Sequence, residues 1–283
     1  MLTLAEFTIY VLACFAGLYI LVAILIFFIQ RRLMYFPNSI RARPNSYGLD
    51  SMEEIHLITD DGLTLTAWYQ PPKEGDICTI VYFHGNAGDI GMRAKKIMPY
   101  IKSGAGVLLT TWRGFSKNPG RPSEIGLYSD GLAAINFLLT QGLSEDKIVL
   151  YGESLGTGVA VELASNNNFS PAAVILEAPF SSAADIAAWR FPLLPVRKLI
   201  FDSFNSNKKI SEINSPLLFL HGYKDQTIPI FFGYKLFMSA KKPKKSIFIE
   251  NAGHNDLYEY GADIEVISFL QKLGLIKGKE TPN

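Results

Sequence analysis

The sequence predicts an α/β fold: a mostly parallel central sheet with helices on both faces, preceded by one transmembrane helix. Three observations predict it. The run from Phe7 to Ile29 carries no charge. Beyond about residue 50, short apolar runs rich in β-branched residues alternate with stretches of helical spacing. Near the start of that region, Asp60-Asp61-Gly62 separates two strand-like segments as a turn would. Continuously apolar runs suit strands buried on both faces, and strand–helix alternation builds a doubly wound sheet.

Composition bounds the rest. A chain of 283 residues, 48% of them hydrophobic, can bury a sizeable core in one large domain. Lys plus Arg number 27 against 26 Asp plus Glu, so the strongly basic face of a nucleic-acid binder is not expected. There are only two cysteines, Cys14 inside the apolar run and Cys78 at the start of a strand. They make no disulfide framework and no Cys-x-x-Cys metal spacing, and both read as small buried hydrophobes.

As a helix, Phe7–Ile29 would span roughly 34 Å, enough for the hydrocarbon core. A signal peptide would carry a basic leader and a shorter apolar core. A helix of a soluble core would show a polar stripe. Residues 1–30 are therefore read as a transmembrane anchor that meets membrane lipid. Arg31, Arg32, Arg41 and Arg43 follow it. By the positive-inside tendency they keep that flank, and the domain behind it, on the cytoplasmic side of a single span. Residues 31–50 read as a juxtamembrane linker.

The domain is expected over 51–275. Glu53–Thr59 and Leu63–Gln70 form an antiparallel hairpin across the turn. Strands follow at Thr79–Phe83, Val107–Trp112, Ile148–Gly152, Ala173–Leu176, Leu217–Leu220 and Ser246–Ile249. Helices are expected at about 88–103, 123–141, 154–166, 228–240 and 255–273. Residues 181–213 have few strand signals but include Trp189, Phe191, Leu193 and Leu194. They read as a short lid, or alternatively as residues packed on the sheet. KKPKK at 241–245 reads as a solvated turn.

The strongest motif is Gly152-Glu153-Ser154-Leu155-Gly156, between a strand and a small-residue helix. That context is what a nucleophile elbow requires: glycines let the backbones approach while the serine sits exposed in a tight turn. A serine hydroxyl needs a base. Among His56, His84, His221 and His254, the one after the last strand is His254, in Ala252-Gly253-His254-Asn255. His56 lies in the first strand, and His84 and His221 precede glycines at strand ends, where structural roles are expected. The base needs an acid to fix its tautomer, and Asp225, after the strand Leu217–Leu220, completes the order Ser154, Asp225, His254. Glu177 and Asp185 are the alternative acids, and Asp256 is too near His254 in sequence. An oxyanion hole is expected from the backbone N–H of Leu155 and of Asn86, with Ala87 as the alternative, in a loop where Gly85 permits a sharp turn. No metal or organic cofactor is implied.

These motifs carry a resemblance. The anchor followed by RRLMYFP, then YFHGNAG, TWRGFSKNPGRPSEIGLYSD, YGESLGTGVA, LFLHGYKDQTIP and NAGHND are similar to the membrane-anchored α/β-hydrolases of the bud-emergence type. That group also resembles the eukaryotic α/β-hydrolase-domain depalmitoylases. The likeness covers nearly the whole chain. It implies the α/β-hydrolase fold, the same three triad positions and hydrolysis of esters, thioesters or amides. Two departures, LEAPF and Thr157, touch shape rather than the triad. The resulting expectation is a serine hydrolase acting on an acyl ester or thioester through an acyl-enzyme. A serine peptidase of the aminopeptidase kind, an acyltransferase and a non-catalytic membrane scaffold are the competing readings.

Overall fold

The computed structural model describes residues 3–73 and 77–277. Helix α1 (Leu4–Met34) opens at a capping box in which Thr3 and Glu6 satisfy each other, and ends with Arg31 and Arg32 in its last turn. None of its residues is buried. Among the described residues it is the one helix long and apolar enough to cross a membrane. Cys14 lies on its exposed surface, whereas Cys78 is buried in the domain.

The stretch read as a linker is built into the domain. Tyr35, Ala42, Leu49 and Met52 are buried. Strand β1 (Phe36–Pro37) pairs in parallel with β5 (Ala87–Gly88), and Pro44–Tyr47 makes a 3-10 turn. The Tyr47 ring fills the space where a Cβ on Gly91 would stand, 2.3 Å from the ring. Apolar residues spread over 35–52 were enough to dock it.

The main sheet contains β2 (Glu53–Ile58), β3 (Thr64–Gln70), β4 (Thr79–Phe83), β6 (Gly106–Leu109), β7 (Ile148–Glu153), β8 (Ala173–Glu177), β9 (Leu217–Gly222) and β10 (Lys244–Ile249). Its order is β10-β9-β8-β7-β4-β6-β3-β2. β3 is antiparallel to both neighbours and the other pairings are parallel. The hairpin register pairs Ile58 with Thr64. Helices α2 (Ala94–Lys102), α3 (Glu124–Thr140), α4 (Leu155–Ala164), α8 (Ile230–Ser239) and α9 (Ala262–Lys272) cover the faces. Alternate side chains of one strand feed opposite cores, as the pleat requires. Val81 and Phe83 pack with Leu127 and Val159, while Ile80 and Tyr82 pack with Ile97 and Leu270.

Two expected helices start differently. Asp89 caps a 3-10 turn at Ile90–Arg93 before α2, its carboxylate accepting from Gly91 and Met92. Gly261, in the left-handed region at φ 81°, separates a 3-10 turn at Leu257–Tyr260 from α9. The strand expected to reach Trp112 stops at Leu109, and Trp112 turns in to donate its indole N–H to the His84 carbonyl, 3.1 Å away. The region 181–213 carries three short helices: α5 (Ala183–Arg190), α6 (Val196–Leu199) and α7 (Ser206–Lys209).

Candidate active site

Ser154 stands between β7 and α4 with φ 51° and ψ −115°. Such a backbone costs about 1–3 kcal/mol and must be imposed by its surroundings. The Ser154 N–H donates to the Glu177 carbonyl at 2.8 Å. Its own carbonyl accepts from the Thr157 N–H at 2.9 Å and the Thr157 hydroxyl at 2.6 Å. Thr157 is thus one of the side chains that hold the turn. Steric need for glycine is severe here: a Cβ on Gly156 would lie 2.0 Å from the Phe83 carbonyl oxygen, and one on Gly152 would lie 2.6 Å from the Gly156 carbonyl oxygen. Gly85 has no left-handed φ, and a Cβ there would meet the Ser154 Cβ at 3.4 Å, an ordinary contact.

The loops after β9 and β10 close over this turn. The N–H groups of Tyr223 and Lys224 donate to the carbonyls of Ile249 and Ala252 at 3.0 and 2.9 Å. Gly222 is pressed against them, with an added Cβ 2.2 Å from the Ala252 carbonyl oxygen. The result brings three predicted residues together. His254 Nε2 lies 3.1 Å from Ser154 Oγ, and His254 Nδ1 lies 2.7 Å from Asp225 Oδ2. Asp225 Oδ1 accepts from the backbone N–H groups of Thr227 and Ile228 at 2.8 and 2.7 Å. Burial alone would raise the Asp225 carboxyl. Hydrogen bonds from His221 and His254, the positive charge His254 can carry and the Ile228 amide outweigh it and hold Asp225 well below the usual carboxylate range. An acceptor fixed as an anion on Nδ1 leaves Nε2 free to take a proton from a hydroxyl.

His221, expected to be structural, also positions the acid. Its Nε2 lies 2.8 Å from the Ile228 carbonyl and 3.3 Å from Asp225 Oδ2. Both neighbours only accept, so Nε2 carries the hydrogen. The cue in the sequence is the four-residue step from His221 to Asp225 in HGYKD. His84 Nδ1 donates to the Gly85 carbonyl at 2.7 Å and its Nε2 faces the Thr111 hydroxyl at 3.2 Å. Burial, aided by the Arg93 cation, pushes its pKa down to about 3. His56 is exposed on β2.

The alternative acids face elsewhere. Glu177 meets Lys96 Nζ at 2.6 Å and the Tyr151 hydroxyl at 2.7 Å. Beside it Glu153 accepts from Arg93 at 3.1 and 3.2 Å and from Tyr82 at 2.9 Å. Burial would raise Glu153, but Lys96 and Arg93 hold it far below its ordinary value. This buried ion network underlies the serine turn. Asp185 binds the Ser181 hydroxyl at 2.6 Å, Lys235 at 2.9 Å and Arg197. Asp256 accepts the Gly253 N–H at 2.6 Å and shapes the loop before His254.

Leu155 is the first residue of α4, where N–H groups lack intrahelical partners. Asn86 is held on the opposite side: its carbonyl accepts from the Phe36 N–H at 2.8 Å, and its side-chain amide donates to the Met34 carbonyl at 2.7 Å. Ser154, Leu155 and Asn86 line the floor of a cavity of about 480 Å³. Its other walls come from α1, the segment 183–200, Phe36, Phe180, Thr227 and Ile228, and they are overwhelmingly apolar. The share contributed by α1 was not expected from the sequence. Its cue is the single polar Gln30 on a face otherwise built from Ala23, Ile26, Phe27, Leu33 and Met34. Among the described residues no group of three or more His, Cys, Asp or Glu could hold a metal ion.

Comparison with known proteins agrees with this architecture. The model of the α/β hydrolase fold matches residues 79–196. An uncharacterized protein of Mycobacterium tuberculosis is 38% identical over 229 residues, covering 80% of this chain and 81% of its own. The α/β hydrolase domain-containing protein 17C of Xenopus tropicalis is 33% identical over 241 residues, covering 83% and 73%. Among solved structures, an esterase of Pyrococcus furiosus superimposes with a TM-score of 0.66 at 17% identity, covering 85% of this chain and 98% of its own. An α/β hydrolase of Vibrio vulnificus gives 0.66 at 22% identity, covering 81% and 88%.

Proposed function

The chain belongs to the α/β-hydrolase family, and from that premise we propose that it is a membrane-anchored serine hydrolase that cleaves acyl esters or thioesters. The observation that carries this reading is the hydrogen-bonded series Ser154–His254–Asp225 at the floor of an apolar cavity. Ser154 Oγ attacks the acyl carbonyl as His254 Nε2 takes its proton. Asp225 holds the imidazole in the required tautomer and stabilises the cation that forms. The N–H groups of Leu155 and Asn86 receive the developing oxyanion. The leaving alcohol or thiol departs with the proton from His254. Water, activated by the same base, then releases the acid and restores Ser154.

The lining favours an acyl chain over a peptide amine. An aminopeptidase needs an anion to hold the substrate ammonium, and no acidic side chain is among the residues lining the cavity. Arg190 is the charged residue there. The helix α1 acts as a single span, and Arg31 and Arg32 at its end keep the domain on the cytoplasmic side.

Labelling the full-length protein with a fluorophosphonate, followed by a panel of p-nitrophenyl esters, acyl thioesters and aminoacyl amides, tests the reading. Modification at Ser154 with turnover of esters or thioesters is expected. Modification at another serine, or turnover confined to aminoacyl amides, would overturn it. A carboxy-terminal reporter active only outside the cytoplasm would reverse the orientation.

A further inference from the structure

We infer that the acyl chain of the substrate reaches Ser154 from within the bilayer, through the seam between α1 and the lid segment, and that Ala23 on α1 limits the chain length that fits. The inference deepens the hydrolase reading and rests on it.

The membrane helix does more than tether. Ala23, Ile26, Phe27, Gln30, Leu33 and Met34 all line the cavity. Their spacing of three and four residues puts them on one face. Met34 marks the inner end, because its carbonyl is bound to Asn86 beside the serine turn. Ala23 lies eleven residues earlier, which is roughly 16 Å up the helix at 1.5 Å per residue. An extended apolar wall of that length suits a long acyl chain lying against α1, with its carbonyl at Ser154.

The opposite wall is the segment containing α5 and α6, and it is latched to α1 at two levels. Near the arginines, Gln30 donates to the Leu199 carbonyl at 3.1 Å and accepts from the Phe201 N–H at 2.7 Å, while Arg31 meets Asp202 at 2.8 and 3.0 Å. Farther up, the Tyr19 hydroxyl donates to the Leu193 carbonyl at 2.8 Å. Tyr19 is inside the uncharged run, so the tip of the lid stands beside the part of α1 that belongs in hydrocarbon.

The surface of the tip fits that position. Leu193 is 84% exposed, and Trp189 and Phe191 are 48% and 42% exposed. Exposed apolar side chains of this kind are costly in water and cost nothing in lipid. Lys198 and Arg197, the latter also paired with Asp185, lie next to Leu199 and are exposed at the level of Gln30 and Arg31, where headgroup phosphates would lie. An apolar tip above a basic collar specifies a lipid bilayer as the occupant of this surface, and the seam between tip and α1 then opens into the leaflet.

The experiment uses the full-length protein in lipid nanodiscs, with p-nitrophenyl esters from butyrate to palmitate. Ala23→Phe is expected to lower the palmitate-to-butyrate ratio of kcat/KM by about ten-fold or more. Leu25→Phe, on a residue outside the cavity lining, is expected to leave that ratio as it was. An unchanged ratio in Ala23→Phe, in protein whose Ser154 still reacts with fluorophosphonate, would overturn the inference. Failure of Ser154 to react in the unaltered protein would instead overturn the hydrolase reading. A measurement independent of turnover covers a misfolded Ala23→Phe. Leu193→Cys, combined with Cys14→Ala and carrying a bimane label, is expected to be quenched by lipids with nitroxides on their acyl chains. Quenching by aqueous iodide alone, or protection from both quenchers by a bound protein, would overturn insertion into the bilayer.

Discussion

The side-chain amide of Asn86 donates to the Met34 carbonyl at 2.7 Å, so the last turn of α1 grips the loop that faces Ser154. The backbone N–H of Asn86 is the proposed oxyanion donor, and its aim depends on that grip. Asn86→Ala keeps the N–H and removes the grip. It is expected to lower kcat on p-nitrophenyl butyrate by roughly ten- to hundred-fold, the scale of a small misplacement of a reacting group. Asn86→Asp should be worse, because a carboxylate would face the Met34 carbonyl. Equal kcat in Asn86→Ala and the unaltered protein would show that the grip on Met34 does not aim that N–H.

Ser154→Ala and His254→Ala are each expected to reduce kcat by about 10⁴-fold or more, with the double variant no worse, because the members act as a unit. Asp225→Asn should cost roughly 10³- to 10⁴-fold through loss of the orienting anion. Single-turnover kinetics with fluorophosphonate labelling would check both. A loss of that size in Asp185→Asn, with Asp225→Asn near normal, would move the acid to Asp185.

His221 acts through Asp225. His221→Phe removes the donor 3.3 Å from Asp225 Oδ2. It is expected to lower kcat about ten-fold, the scale of one hydrogen bond to a charged group, with KM little changed. His221→Gln keeps a donor and should recover part of the loss. The split between kcat and KM, together with that recovery, separates positioning from a general loss of packing.

His84 gives a pH signature in stability rather than in rate. Its ordinary value of 6.5 falls to about 3 in the fold, first through burial and then through Arg93. Below about pH 6.5 the unfolded chain binds a proton that the folded chain refuses. The contribution of the neutral ring is complete above that pH and is lost as pH falls toward about 3, with a slope of up to about 1.4 kcal/mol per pH unit. Urea unfolding in detergent at several pH values should show this slope, and His84→Gln should flatten it. Identical slopes would contradict the account.

The strands, their alternation with helices and the Ser154–Asp225–His254 geometry were legible in the sequence. Each depends on a local pattern with a physical cause, such as the glycines that let β7 and α4 approach or the apolar runs buried on both faces. The roles of residues 35–52 and α1 were not. Tyr35, Leu49 and Met52 look like scattered apolar residues until the domain offers them a surface. The face of α1 that lines the cavity is hidden in sequence because the whole run is apolar. Only Gln30 marks that face, and its partners Leu199 and Phe201 lie some 170 residues away.

With α1 as the proposed membrane span, its several ties to the domain also make the protein responsive to bilayer thickness. The uncharged run of roughly 34 Å exceeds a hydrocarbon core of about 30 Å, and helices absorb such mismatch by tilting. A helix on a free tether would tilt alone. Here Arg31 is clasped by Asp202, Met34 by Asn86 and Tyr19 by Leu193. A change in tilt must therefore rotate the domain with the helix or pull at these contacts, so thin and thick membranes would hold Ser154 at different angles to the lipid surface.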